Sequence, residues 1–129
     1  MPQRVTRTRM AVLALGLATA FGGSAFAHHA FNMYDNNVYS KMTGTVTNFR
    51  WANPHTMIEF MVLGADGKET KWTAECSPTN MLRLHGWTLG SLKAGDKIDF
   101  VIHPNRNGAN YGLLVSAGFP DGRKLTDKD

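Results

Sequence analysis

Apolar and polar residues alternate in short runs along most of this chain, and glycine, proline and asparagine punctuate the runs. Residues 56–63 (TMIEFMVL) are the clearest case: Ile58, Phe60 and Val62 fall on one face, Met57, Glu59 and Met61 on the other. That is the period of a strand with one dry side and one wetter side. Ala65-Asp66-Gly67-Lys68 supplies a turn, after which residues 70–76 (TKWTAEC) put Trp72, Ala74 and Cys76 on one face. The two runs predict a hairpin. Upstream, residues 41–49 (KMTGTVTNF) keep Met42, Val46 and Phe49 apolar without strict alternation. Three threonines still favour a strand, and Gly44 reads as a bulge or a bend.

A short helix follows the third strand. Ser77 is the expected N-cap, Pro78 suits the first helical position, and Gly86 stops the run that contains Met81, Leu82, Leu84 and His85. Residues 87–92 (WTLGSL) cover its end, and Lys93-Ala94-Gly95-Asp96 turns into a fourth strand in which Ile98, Phe100 and Ile102 alternate with Asp99, Val101 and His103. The polar turn at 105–110 (NRNGAN) leads to a fifth strand over 111–117, and Asp121-Gly122-Arg123-Lys124-Leu125 reads as a turn with a short final strand. Three strands, a helix and two more strands predict an all-β domain with one short helix, an OB-like five-stranded barrel. An antiparallel sandwich-like domain is the alternative.

The amino-terminal residues follow a different pattern. Arg4, Arg7 and Arg9 precede an apolar stretch over 10–21, and Ala25-Phe26-Ala27 offers the small residues of a cleavage site. Residues 1–27 therefore read as a secretory signal peptide, and the stretch is shorter than the roughly 20 residues that span a bilayer. The expectation is a periplasmic protein, beginning at His28, with no membrane insertion after processing and a single domain over 28–129. Removal of the leader changes the charge: of 14 basic residues three lie before His28 and none of the 10 acidic ones does, leaving 11 against 10. A domain so close to neutral has little of the footprint that phosphate binding needs, so no nucleic-acid partner is expected. One cysteine, Cys76, makes no internal disulfide.

Several phrases carry a family resemblance. The leader ending before His28-His29, Gly44-Thr45-Val46 with Trp51-Ala52-Asn53-Pro54-His55, Gly86-Trp87-Thr88, Leu92-Lys93-Ala94-Gly95-Asp96 and Pro120-Asp121-Gly122-Arg123 resemble a family of small exported bacterial proteins known as a domain of unknown function. The resemblance implies no reaction. Where the pattern leads one to look for a small residue before Ser77-Pro78, this chain has Cys76, so no family-wide role attaches to that thiol.

The chemistry that stands out is at the expected mature terminus. There His28 offers its α-amino nitrogen and ring Nδ1 to one metal, a planar nitrogen chelate suited to Cu(II). The amine's pKa of roughly 8 lets copper displace its proton near neutrality. A third nitrogen from a distant histidine would complete a brace; the resemblance to copper monooxygenases of polysaccharides and to periplasmic copper carriers extends only to the first residue. Cleavage after Ala25 would instead put histidine third, also a copper-chelating terminus. The bland reading is a solvated flank of the cleavage site that binds copper adventitiously. His29 ranks below His28. His55, after Asn53-Pro54 and in phase with Met57, Glu59 and Met61, is the best distant partner, and His103 at the end of the fourth strand is the other; Met33 is a soft sulfur donor or core filler.

The remaining side chains read blandly. Cys76 is in phase with Trp72 and Ala74 and reads as buried and inert, and Glu59, Glu75 and Asp99 as solvated strand faces; Trp51, Trp72 and Trp87 with Tyr111 offer a ligand groove, but the three tryptophans read as core filling. His85 reads as a charge partner at the helix C-terminus. The expected protein is a monomeric binding protein rather than an enzyme, with copper as its cofactor. The alternative is a metal-free interaction module for a periplasmic protein or an oligosaccharide. A third class, a copper-dependent oxidase of the brace type, needs an open metal position.

Overall fold

The computed structural model describes residues 33–127. Met1–Phe31 and Asn32–Asp129 separate as two units, and the described residues lie in the second. They run β1 (Ser40–Arg50), β2 (Met57–Leu63), β3 (Glu69–Glu75), α1 (Thr79–Leu84), β4 (Lys97–Pro104), β5 (Tyr111–Gly118) and β6 (Lys124–Thr126). β1 is the longest strand and pairs antiparallel with β2 on one side and β4 on the other. The sheet order is β3-β2-β1-β4-β5-β6, and a parallel pairing of β3 with β5 closes the first five into a barrel. That closure bears out the OB-like expectation and removes the sandwich alternative, because a sandwich leaves its two sheets open.

The inward faces are those that alternation predicted. Ile58 and Phe60 of β2, Ala74 of β3, and Ile98, Phe100 and Ile102 of β4 are buried with Val46, Leu114 and Ala117. Leu82, Trp87 and Leu92, from α1 and the segment after it, join the same core. Trp87 Nε1 donates to the Thr126 carbonyl at 2.8 Å, which satisfies its one polar atom and anchors β6.

Two local devices differ from the sequence reading. The bulge in β1 lies between Val46 and Asn48, where the register with β2 shifts, and not at Gly44. Gly44 instead makes room: a Cβ there would sit 2.4 Å from Phe60 Cδ2, on a ring that stacks on Phe100 at 4.0 Å. The helix begins one residue later than expected, with Pro78 at the N-cap and no side-chain cap of its own. Asn53 supplies the acceptor from a distance, its Oδ1 taking the Thr79 amide at 2.9 Å and the Thr79 hydroxyl at 3.1 Å. Gly86, at φ +84°, ends the helix as predicted.

Candidate functional site

Period two in β3 turns Ala74 inward, and Cys76 just beyond the strand is buried as well, so Glu75 is left on the outer face. There it faces Met57 across the β2 pairing, while the parallel pairing brings Tyr111 of β5 opposite Thr73. The loop from β1 to β2 adds His55, and the segment before β1 adds Tyr34, which forms an isolated bridge with Asn105.

These residues converge on one carboxylate. Glu75 Oε2 accepts from the Tyr34 hydroxyl at 2.5 Å and the Tyr111 hydroxyl at 3.0 Å. Its Oε1 lies 3.2 Å from His55 Nδ1. The Tyr34 and Tyr111 rings stack with centroids 6.1 Å apart, and the Tyr111 hydroxyl also lies 3.9 Å from Met57 Sδ. The Glu75 side chain is only 15% exposed, against 48% for His55. Burial first, then the neighbouring Glu75 carboxylate, holds the Tyr34 hydroxyl far above the ordinary tyrosine range and pushes Tyr111 up to about 12. Both therefore remain donors, as a carboxylate that can only accept requires.

The tautomer of His55 follows from the same geometry. Its Nδ1 points at two acceptors, Glu75 Oε1 and, at 3.4 Å, the Cys76 carbonyl. A neutral ring there carries its proton on Nδ1 and presents the Nε2 lone pair away from the carboxylate. A carboxylate contact on one ring nitrogen also occurs at metal-ligating histidines, where the acceptor orients the ring.

The Tyr34 segment is fastened along its length. Asp35 N donates to the Pro104 carbonyl at 2.9 Å, Arg106 N to the Met33 carbonyl at 2.9 Å, and Arg106 Nε to the Tyr34 carbonyl at 3.0 Å. His103 belongs to this strap: its Nδ1 donates to the Val38 carbonyl at 2.8 Å, and its ring tilts against Tyr39 at 4.7 Å.

Of the four histidines singled out in the sequence, His28 and His29 lie outside the described residues. His55 stands on the Glu75 carboxylate, and the hydrogen bond described for His103 is to the strap instead. Among the described residues no three His, Cys, Asp or Glu side chains form a metal-holding group. Cys76 is buried as expected, and burial raises its thiol well above the usual range. Met33 is 47% exposed and is not core filler. Glu59 and Asp99 behave as strand-face acids, Glu59 pairing with Lys71 at 2.8 Å and Asp99 accepting from Thr43 at 2.6 Å.

Glu75 lies on an outer strand face, as the sequence reading had it, but is mostly covered rather than solvated, and Tyr34 is a residue that reading passed over. The Tyr34 hydroxyl comes from 41 residues upstream and that of Tyr111 from 36 downstream. The available signal was phase: with Ala74 and Cys76 inward, Glu75 had to lie outward beside Met57.

Fold and site together define a small OB-like barrel that carries, at the end where β3 and β5 run parallel, a carboxylate ringed by hydroxyls and an imidazole. The chain belongs to a family of unknown function (DUF6152), whose match spans residues 17–116 and so includes His55, Met57, Glu75 and Tyr111. No curated protein and no solved structure matches the chain.

Proposed function

We propose that this is an exported periplasmic copper-binding protein, holding Cu(II) through the amine and ring of a mature N-terminal His28 and through the imidazole of His55. The observation that carries the reading is the 3.2 Å contact of His55 Nδ1 with Glu75, which turns Nε2 outward as a preoriented nitrogen donor on a half-exposed ring. Two nitrogens from the terminus and one from His55 make a donor set that favours Cu(II) over softer ions. Covalent length is consistent with it. Five residues lie between His28 and Tyr34, so their Cα atoms are at most roughly 20 Å apart along an extended chain, and the Tyr34 hydroxyl ends on the same carboxylate as His55.

Copper titration of the protein recovered from the periplasm tests this. One Cu(II) should bind per chain, and one extra residue ahead of His28 should weaken binding at least tenfold by displacing the amine. His55→Ala should weaken it comparably, with His103→Ala as the unaffected control. Binding that survives His55→Ala and fails only on extension belongs to a bare terminus, and the proposal falls. The second reading, a metal-free module for a protein partner, is favoured by Met81, Leu84 and Leu89, which are 45%, 79% and 69% exposed on and just after α1. It takes first place if neither extension nor His55→Ala changes copper binding.

A further inference from the structure

We infer that Tyr34 is a positioning residue for His55: acting through Glu75, it makes the aim of Nε2 away from the carboxylate conditional on the seating of the strap of residues 33–39. The inference deepens the copper reading and rests on it only for what Nε2 is used for. The linkage of phenol, carboxylate and imidazole stands without a metal.

The division of labour between the two oxygens of Glu75 carries it. Oε2 accepts from the Tyr34 hydroxyl at 2.5 Å and from the Tyr111 hydroxyl at 3.0 Å. A carboxylate oxygen has two lone pairs, so two donors fill Oε2 and leave Oε1 for His55 Nδ1, 3.2 Å away. Glu75 holds the imidazole in one tautomer only while its own rotation is fixed, and the phenols fix it. The other acceptor facing Nδ1, the Cys76 carbonyl, is at 3.4 Å, so a loosened carboxylate leaves the ring with the longer contact. A free imidazole prefers its proton on Nε2, which turns that nitrogen from a lone pair into an N–H donor.

The two phenols are held by different parts of the molecule. Tyr111 belongs to β5 and is placed by the parallel pairing with β3. Tyr34 comes from outside the barrel, and its position depends on the strap. Its ring is 3% exposed and stacks on Tyr111, and its backbone bridges to Asn105. Arg106 does most of the fastening: its amide donates to the Met33 carbonyl at 2.9 Å, its Nε to the Tyr34 carbonyl at 3.0 Å, and its Nη2 lies 3.9 Å from Asp35 Oδ1. These contacts run to the strap, so a change at Arg106 reaches His55 by way of Tyr34 and Glu75.

The test reads the His55 ring by nitrogen NMR in the metal-free exported protein, where the two ring nitrogens of the neutral form report which one carries the proton. The wild type should show it on Nδ1. Tyr34→Phe keeps the ring on Tyr111 and removes the hydroxyl, and should lower the ratio of the Nδ1–H to the Nε2–H tautomer about threefold or more, the scale of one hydrogen bond. Arg106→Ala, which loosens the strap at a distance, should move the ratio in the same direction. Tyr39→Phe, whose ring lies against His103 at 4.7 Å, should leave it unchanged. An unmoved ratio in Tyr34→Phe or in Arg106→Ala, or an equal shift in Tyr39→Phe, overturns the inference. So does a wild-type ring protonated on Nε2, a result that depends on no variant folding. Copper titration of the same proteins keeps the two proposals apart: a tautomer shift in a protein that binds no Cu(II) supports the inference and sinks the copper reading, whereas Cu(II) bound through His55 with an unmoved tautomer in Tyr34→Phe does the reverse.

Discussion

At the scale of single residues, the chemistry of the outer face is decided by what surrounds Glu75. The same residue type on the same kind of strand face has two fates here. Glu59 pairs with Lys71 in the open, and the Lys71 ammonium lowers its carboxyl below the usual range, whereas Glu75 sits under two phenols. This difference has an alkaline consequence. In the unfolded chain Tyr111 loses its proton near the ordinary value of 10.0, but in the fold it holds it up to about 12. Between those values the unfolded state binds fewer protons, so stability falls as pH rises; below 10.0 the contribution is fully present. Tyr34, raised further, extends the loss above that window. Thermal melts of the wild type should therefore drop steeply above pH 10, with a shallower slope in Tyr111→Phe. Equal slopes for the two proteins would mean that burial and Glu75 do not hold the Tyr111 hydroxyl protonated in the fold.

At the scale of elements, the loop from β1 to β2 works in two directions. Asn53 reaches the helix, capping α1 through the Thr79 amide, and two residues later His55 reaches β3. A helix of six residues with no cap of its own is marginal, so this remote acceptor matters more than it would on a long helix. Replacing Asn53 with alanine should cost about 1 kcal/mol, the usual worth of an N-cap, measured as a shift of the urea midpoint without a change in slope. If the loop acts as one unit, the same variant should loosen His55 and weaken the copper binding proposed above. The strands were legible in advance: residues 56–63 are seen as Met57–Leu63 and residues 111–117 as Tyr111–Gly118. The cap was not, because the sequence rule for N-caps looks one or two residues upstream, and Asn53 lies 26 residues from Thr79.

At the scale of the whole molecule, closure of the barrel makes the site. Pairing of β3 with β5 is parallel and joins residues far apart in the chain, and only then does Tyr111 come alongside Glu75. The same closure buries Phe60 against Phe100 and leaves one continuous core. The proposed copper site at the terminus would also depend on processing. Intact mass of the exported protein should correspond to a chain that starts at His28; a product retaining residues 1–27 has no terminal histidine amine, and the Cu(II) reading would go with it.

The sequence by itself determined the strands, which of their residues face inward, the stop at Gly86 and the order of elements that leads to an OB-like barrel. Each of these rests on local chemistry, because alternation and turn residues act over a few positions. Local pattern assigns a residue to a face; it does not say what arrives at that face. Tyr34 and Tyr111 meet Glu75 across 41 and 36 residues of chain, from elements that alternation treats separately. Ring stacking, the protonated phenols and the orientation of His55 all follow from that meeting. They were therefore decided only when β3 and β5 closed the barrel and the strap of residues 33–39 was fastened across the end of β4.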